Sequence, residues 1–159
     1  MMKKLLSACL LSSALLVGCA GSSDEADGEG CEHLQQGPAF PVSASGSASG
    51  APAVSNDHKR YDVSLPEGTG GRTGSVSFAA SEAVDYVFFL SADVPLKIAT
   101  TSGEAVALES SAKSSSTCTT IKGRHVAPLK VGTYTLTFGP TSEAQVSLVI
   151  EESGADHEH

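Results

Sequence analysis

The chain predicts an all-β domain, a sandwich or barrel of about eight short strands. Three observations carry that expectation. Apolar residues recur at i, i+2 and i+4 in run after run, the period of a strand with one buried face. No segment after the first 18 residues keeps a 3.6-residue apolar stripe. Gly, Pro and Ser clusters punctuate the runs, and Gly, Ser and Thr are abundant, as in extracellular β domains with many turns.

Residues 1–18 read as a signal peptide. Lys3 and Lys4 give a basic start, and residues 5–17 follow with only Ser7, Ser12 and Ser13 as polar interruptions. A permanent span needs about 20 apolar residues, so this run is too short. It ends in Leu16-Val17-Gly18-Cys19, which resembles the lipobox of bacterial lipoproteins. The resemblance implies cleavage before Cys19, acylation of its thiol and a cell-envelope location, with the membrane as partner through the lipid. Each buried methylene adds about 0.8 kcal/mol, so several acyl tails hold a chain firmly to one leaflet. Ala20, not Asp, follows Cys19, which in the enteric sorting pattern implies the outer membrane where the host has one.

Residues 19–30 carry four acids and several glycines with no large apolar group, and are expected to form a lipidated, disordered acidic tether. Residues 31–56 read as a Cys/Ser/Pro-rich extended segment. Residues 31–36 are compatible with a short turn of helix, and Pro38, Pro41 and Pro52 oppose helix beyond it. Phe40 and Val42 suit an edge strand or irregular chain.

The sandwich is expected over 57–152. Tyr61, Val63 and Leu65 alternate with Asp62 and Ser64, and Pro66-Glu67-Gly68 and Gly70-Gly71 then break the chain. Val76 and Phe78 alternate with serines. Val84, Tyr86, Phe88 and Leu90 share one face of a strand while Val87 and Phe89 occupy the other, which places that strand centrally. Val94, Leu96 and Ile98 follow, with Pro95 marking a start or edge. Val106 and Leu108 come next, then a Thr-rich strand over 117–122 around Cys118 and Ile121. Tyr134, Leu136 and Phe138 point one way from the run after Gly132. Val146, Leu148 and Ile150 form the last strand. The predicted core comprises Val63, Val76, Phe78, Tyr86, Phe88, Leu96, Ile98, Leu136, Phe138, Leu148 and Ile150. Residues 153–159 are expected to be a disordered tail holding His157 and His159.

This order of runs, with Tyr86-Val87-Phe88-Phe89-Leu90 followed later by Gly132-Thr133-Tyr134 and a last alternating strand, resembles the bacterial pre-peptidase C-terminal domain over about residues 57–151. The resemblance implies a jelly-roll-like antiparallel β-sandwich of the kind appended to secreted proteins.

Cysteine usage narrows the chemistry. Cys9 leaves with the leader and Cys19 is the lipid site, so Cys31 and Cys118 remain. Outside the cytoplasm such a pair most often forms a disulfide. The rival reading is a Zn or Cu site drawn from Cys31, His33, His58, Cys118 and His125, since thiolate and imidazole suit both metals. Cys31-x-His33 and Cys118-x6-His125 would supply two ligands each. Both methionines lie in the leader, which counts against a blue-copper site with its axial Met.

Catalytic signatures are absent. There is no Gly-x-Ser-x-Gly elbow and no His-Glu-x-x-His, and Gly68-Thr69-Gly70-Gly71 lacks the Lys of a phosphate loop. Asp57, Asp62 and Asp85 lack calcium-loop spacing. Arg72, Lys113, Lys122, Arg124 and Lys130 read as a solvated rim. The 159 residues less the leader leave 141, and losing Lys3 and Lys4 moves the net charge from −8 to −10. So acidic a chain should not hold nucleic acid or anionic lipid by bulk charge. The expected function is a lipid-anchored, non-enzymatic binding or accessory module of the cell envelope with no cofactor. The alternative is a periplasmic transition-metal-binding lipoprotein using Cys31, His33, Cys118 and His125. No protein or small-molecule partner is legible.

Overall fold

The structure, a computed structural model, describes residues 22–153. Cys19, the leader and the tail histidines lie outside the described residues. Among the described residues the chain forms one helix, α1 (Ser22–Gln36), and twelve strands. In chain order these are β1 (Ala39–Ser43), β2 (Ala53–Val54), β3 (Arg60–Ser64), β4 (Glu67–Gly68), β5 (Gly71–Ala80) and β6 (Asp85–Leu90). They continue as β7 (Leu96–Thr100), β8 (Ala105–Val106), β9 (Ser110–Ala112), β10 (Gly123–Pro128), β11 (Gly132–Thr141) and β12 (Gln145–Glu152).

The strands build an all-β sandwich of two sheets. One has the order β1-β3-β12-β6-β10-β9 and the other β2-β5-β11-β7-β8, with β4 also on β5. Both sheets are mixed rather than purely antiparallel, because β1 pairs with β3 and β2 with β5 in parallel. The chain leaves β1, crosses to the other sheet as β2 and returns as β3. Parallel pairing needs such a crossover. Residues 39–54 therefore belong to the sandwich, which begins well before residue 57.

All eleven predicted core residues are buried in one cluster between the sheets. Phe78 of β5 meets Tyr86 and Phe88 of β6 edge-on, with ring centroids 5.1 and 5.9 Å apart, and so links the two layers. The buried tyrosines satisfy their hydroxyls locally. Tyr134 Oη donates to the Lys130 carbonyl at 2.9 Å, and Tyr86 Oη accepts from the Glu82 amide at 3.2 Å.

β6 is central, between β12 and β10, and apolar on both faces as its sequence predicts. What covers its second face differs from the tether expected over 19–30. Residues 22–36 are helical, and Ala26, Asp27, Gly30 and Leu34 are buried. Ala26, Gly30 and Leu34 recur every fourth residue and form one stripe. They pack with Val87, Phe89, Ile121, Val126 and Val149 in a second apolar cluster outside the first sheet. The stripe is made of small residues because the approach is close. A Cβ added at Gly30 would stand 2.4 Å from Phe89 Cδ2. Polar contacts fix the same seat. The Asp27 carboxylate accepts from Arg124 Nε at 2.6 Å and from Ser115 Oγ at 2.6 Å. Arg124 is therefore a docking partner of α1 and not part of a solvated rim. Gly37, at φ +76°, ends the helix, and its amide donates to the His33 carbonyl at 2.9 Å.

The Thr-rich strand expected over 117–122 is a loop instead. Cys118 and Ile121 are buried from that loop beneath α1, and the strand starts afterwards as β10. Gly123, Arg124, His125 and Pro128 are poor strand formers in isolation. Pairing with both β6 and β9 overrides that preference.

Candidate functional site

Cys31 of α1 and Cys118 of the loop before β10 are joined in a disulfide, with Cα atoms 5.8 Å apart. The bond ties the helix to the sandwich across 87 positions of sequence. It also removes both thiolates from the ligand set considered above. His125 is elsewhere. Strand alternation turns it to the opposite side of the sheet from Val126, which faces α1. Its Nδ1 is 2.8 Å from Ser111 Oγ, and its buried Nε2 has no hydrogen-bond partner. Burial lowers the His125 pKa, with Asp93 opposing the shift. The set of Cys31, His33, Cys118 and His125 is thus not assembled.

Two of the remaining candidates do converge, on a residue that sequence reasoning missed. His33, in the last turn of α1, and His58, in the loop before β3, meet the carboxylate of Glu151 near the end of β12. His33 Nε2 is 3.9 Å from Glu151 Oε1, and His58 Nδ1 is 3.6 Å from Oε2. The two imidazoles stand 5.3 Å apart between ring centroids. One ligand atom from each residue lies within 4.8 Å of the others. Glu151 is only 1% exposed, while the side chains of His33 and His58 are 21% and 44% exposed. The site is a buried acid at the bottom of a half-open imidazole pair.

Local structure explains each position. Glu151 lies opposite Val87 and alternates with Ile150, which points into the main core, so Glu151 faces outward beneath α1. His33 follows Glu29 by one helical turn, which puts both on the same side of α1. Burial raises the Glu151 pKa to about 8, and the charges of Glu29 and Glu152 add to the rise. Its Oε1 has no hydrogen-bond partner.

The loop carrying His58 is braced on both sides. Tyr61 Oη donates to Asp57 Oδ1 at 2.8 Å and lies 2.8 Å from Ser55 Oγ. Lys59 pairs with Asp57. Asn56 Nδ2 donates to Glu152 Oε1 at 2.6 Å. Burial works against ionisation of Asp57, yet the hydrogen bonds from Lys59, Tyr61 and Ser55 outweigh it and lower its pKa. His58 itself has φ +55°, a left-handed conformation that costs a side-chain-bearing residue roughly 1 kcal/mol or more. The bracing holds His58 in that conformation beside Glu151.

The sequence matches no protein-family model and no curated protein.

Proposed function

We propose that the protein is a lipid-anchored, non-enzymatic binding module of the cell envelope. The observation that carries this is Leu16-Val17-Gly18-Cys19 after a basic and apolar leader. Acylation of Cys19 gives the anchor, and Ala20 favours the outer membrane where the host has one. One feature of the fold supports the reading. Only Ala20 and Gly21 separate Cys19 from the first residue of α1, and the disulfide locks that helix to the sandwich. A helix of 15 residues is about 22 Å long, so an anchored Cys19 keeps the domain close to the lipid. Among the described residues, no helix is long and apolar enough to cross a membrane. The binding site is the cluster where His33, His58 and Glu151 meet.

Mass spectrometry of the membrane-extracted protein tests the anchor. An N-terminal, acylated Cys19 is expected, and Cys19→Ser should release the protein from the membrane fraction. An unmodified Cys19 in the membrane-extracted protein would refute the reading.

A further inference from the structure

We propose that His33, His58 and Glu151 form a binding site for a divalent transition metal of the zinc class. The proposal names the ligand of the side-chain cluster described above. It does not depend on the lipid anchor, since all three residues lie in the folded domain.

Donor chemistry comes first. Two imidazole nitrogens and one carboxylate oxygen suit borderline ions such as Zn²⁺, and Cu²⁺ binds the same donors more tightly. Ca²⁺ and Mg²⁺ take oxygen ligands almost exclusively and gain little from imidazole. His33 Nε2 and His58 Nδ1 are the ring nitrogens nearest Glu151, each beside a different carboxylate oxygen.

Geometry agrees. Zinc holds its nitrogen and oxygen ligands at about 2.0–2.2 Å, which places tetrahedral donors about 3.3–3.5 Å apart. The two nitrogen–oxygen separations are 3.9 and 3.6 Å, and all three donors fall within 4.8 Å of one another. Side-chain shifts of up to about 0.7 Å per donor bring separations within 4.8 Å to that spacing. Three protein ligands leave a fourth position for water or a ligand from outside.

A second observation points to the same ion. Glu151 is almost fully buried, and its Oε1 has no hydrogen-bond partner. A buried carboxylate oxygen without a partner is costly, and such groups are usually paired or bound to metal. Arg124 and Arg60, the arginines near α1, are engaged by Asp27 and Asp62. A cation between the two imidazoles would satisfy Glu151. Glu29 and Glu152 add to the negative field around it.

Three separate segments supply the ligands: the end of α1, the loop before β3 and the end of β12. Bound metal would therefore act as a clamp between the helix nearest Cys19 and the sandwich. It would complement the disulfide, which fastens the same helix from another residue.

The test is calorimetric titration of the full-length chain, extracted in detergent, with zinc sulfate, after chelator treatment and dialysis. One equivalent of Zn²⁺ is expected to bind, with no comparable binding of Ca²⁺ or Mg²⁺. Glu151→Gln and the double variant His33→Ala/His58→Ala should each weaken that binding by more than about 100-fold, beyond the loss typical of outer-shell partners. Circular dichroism checks that the variants keep the β fold. Should the double variant unfold, His58→Ala alone replaces it and must weaken zinc binding. The tail histidines need their own control. His157→Ala/His159→Ala should leave the stoichiometric binding intact. Absence of zinc binding by the folded wild-type chain would overturn the proposal. So would binding that survives in the His33/His58 and Glu151 variants, or that disappears with the tail histidines. The anchor is judged separately by the mass of Cys19, so either reading can fail alone.

Discussion

Alanine at Gly30 and at Gly28 should act in opposite directions. Both glycines lie inside α1, and replacing a helical Gly by Ala normally stabilises by about 0.5–1 kcal/mol. At Gly28 nothing lies within 4 Å of an added Cβ, so Gly28→Ala should show that gain in full. At Gly30 the new Cβ would meet Phe89 Cδ2 at 2.4 Å, Cε2 at 2.5 Å and Cγ at 2.9 Å. The ring cannot step aside, because Phe89 is fully buried against Val87, Ile121 and Val149. Overpacking of this kind costs about 1–3 kcal/mol, which exceeds the propensity gain. The expected net result is a loss of about 1–2 kcal/mol for Gly30→Ala. The contrast between the two variants isolates the helix–Phe89 contact, because the propensity contribution is common to both. Urea unfolding followed by far-ultraviolet circular dichroism reads both midpoints. If Gly30→Ala were as stable as Gly28→Ala, α1 would not rest on Phe89 and the seat of His33 would be wrong as well.

Further outcomes follow from the core, the disulfide and two buried ionisable groups. Phe88→Ala should cost about 3–5 kcal/mol, since the ring is fully buried and packs edge-on against Phe78; a loss below about 1 kcal/mol in urea unfolding would contradict the core assignment. Replacing Cys31 and Cys118 together by Ser should remove up to about 4–5 kcal/mol on the chain-entropy model for a loop of 87 positions, and should make α1 more sensitive to protease; unchanged urea midpoints would refute this. Burial holds His125 below its ordinary 6.5, so the unfolded chain takes up that proton first as pH falls. Stability contributed by neutral His125 is present above pH 6.5 and is lost as pH falls through the lower folded value. His125→Leu should flatten the acid decline, and an unchanged slope would refute it. Glu151 behaves with the opposite sign. Burial raises it from 4.5 to about 8, so in chelator its contribution is fully present below pH 4.5 and is lost as pH rises through about 8. At about 1.4 kcal/mol for each pH unit, Glu151→Gln should exceed the metal-free wild type by roughly 3 kcal/mol at pH 7 and match it near pH 4. A difference independent of pH would refute that assignment.

Period two determined the principal core strands β3, β5, β6, β7, β11 and β12 by itself. Tyr86, Phe88 and Leu90 had to face one way and Val87 and Phe89 the other, because successive side chains of a strand alternate. The eleven core residues follow from that rule wherever one face is apolar, and β6 is central because both of its faces are. The pairing of Cys31 with Cys118 was also legible, by elimination among four cysteines. Tertiary structure alone decided the rest. Ala26, Gly30 and Leu34 make a helical stripe whose small members look like linker composition, since a close helix–sheet approach removes the large apolar residues by which helices are recognised. β1 and β2 are too short and too rich in Pro, Ser and Ala to declare parallel partners. Glu151 sits where alternation turns a residue away from the core, which in sequence reads as solvent. It is buried because α1, more than a hundred residues earlier, covers that face. His33, His58 and Glu151 share no spacing motif, and only the folding of three distant segments onto one side of the sheet brings them together.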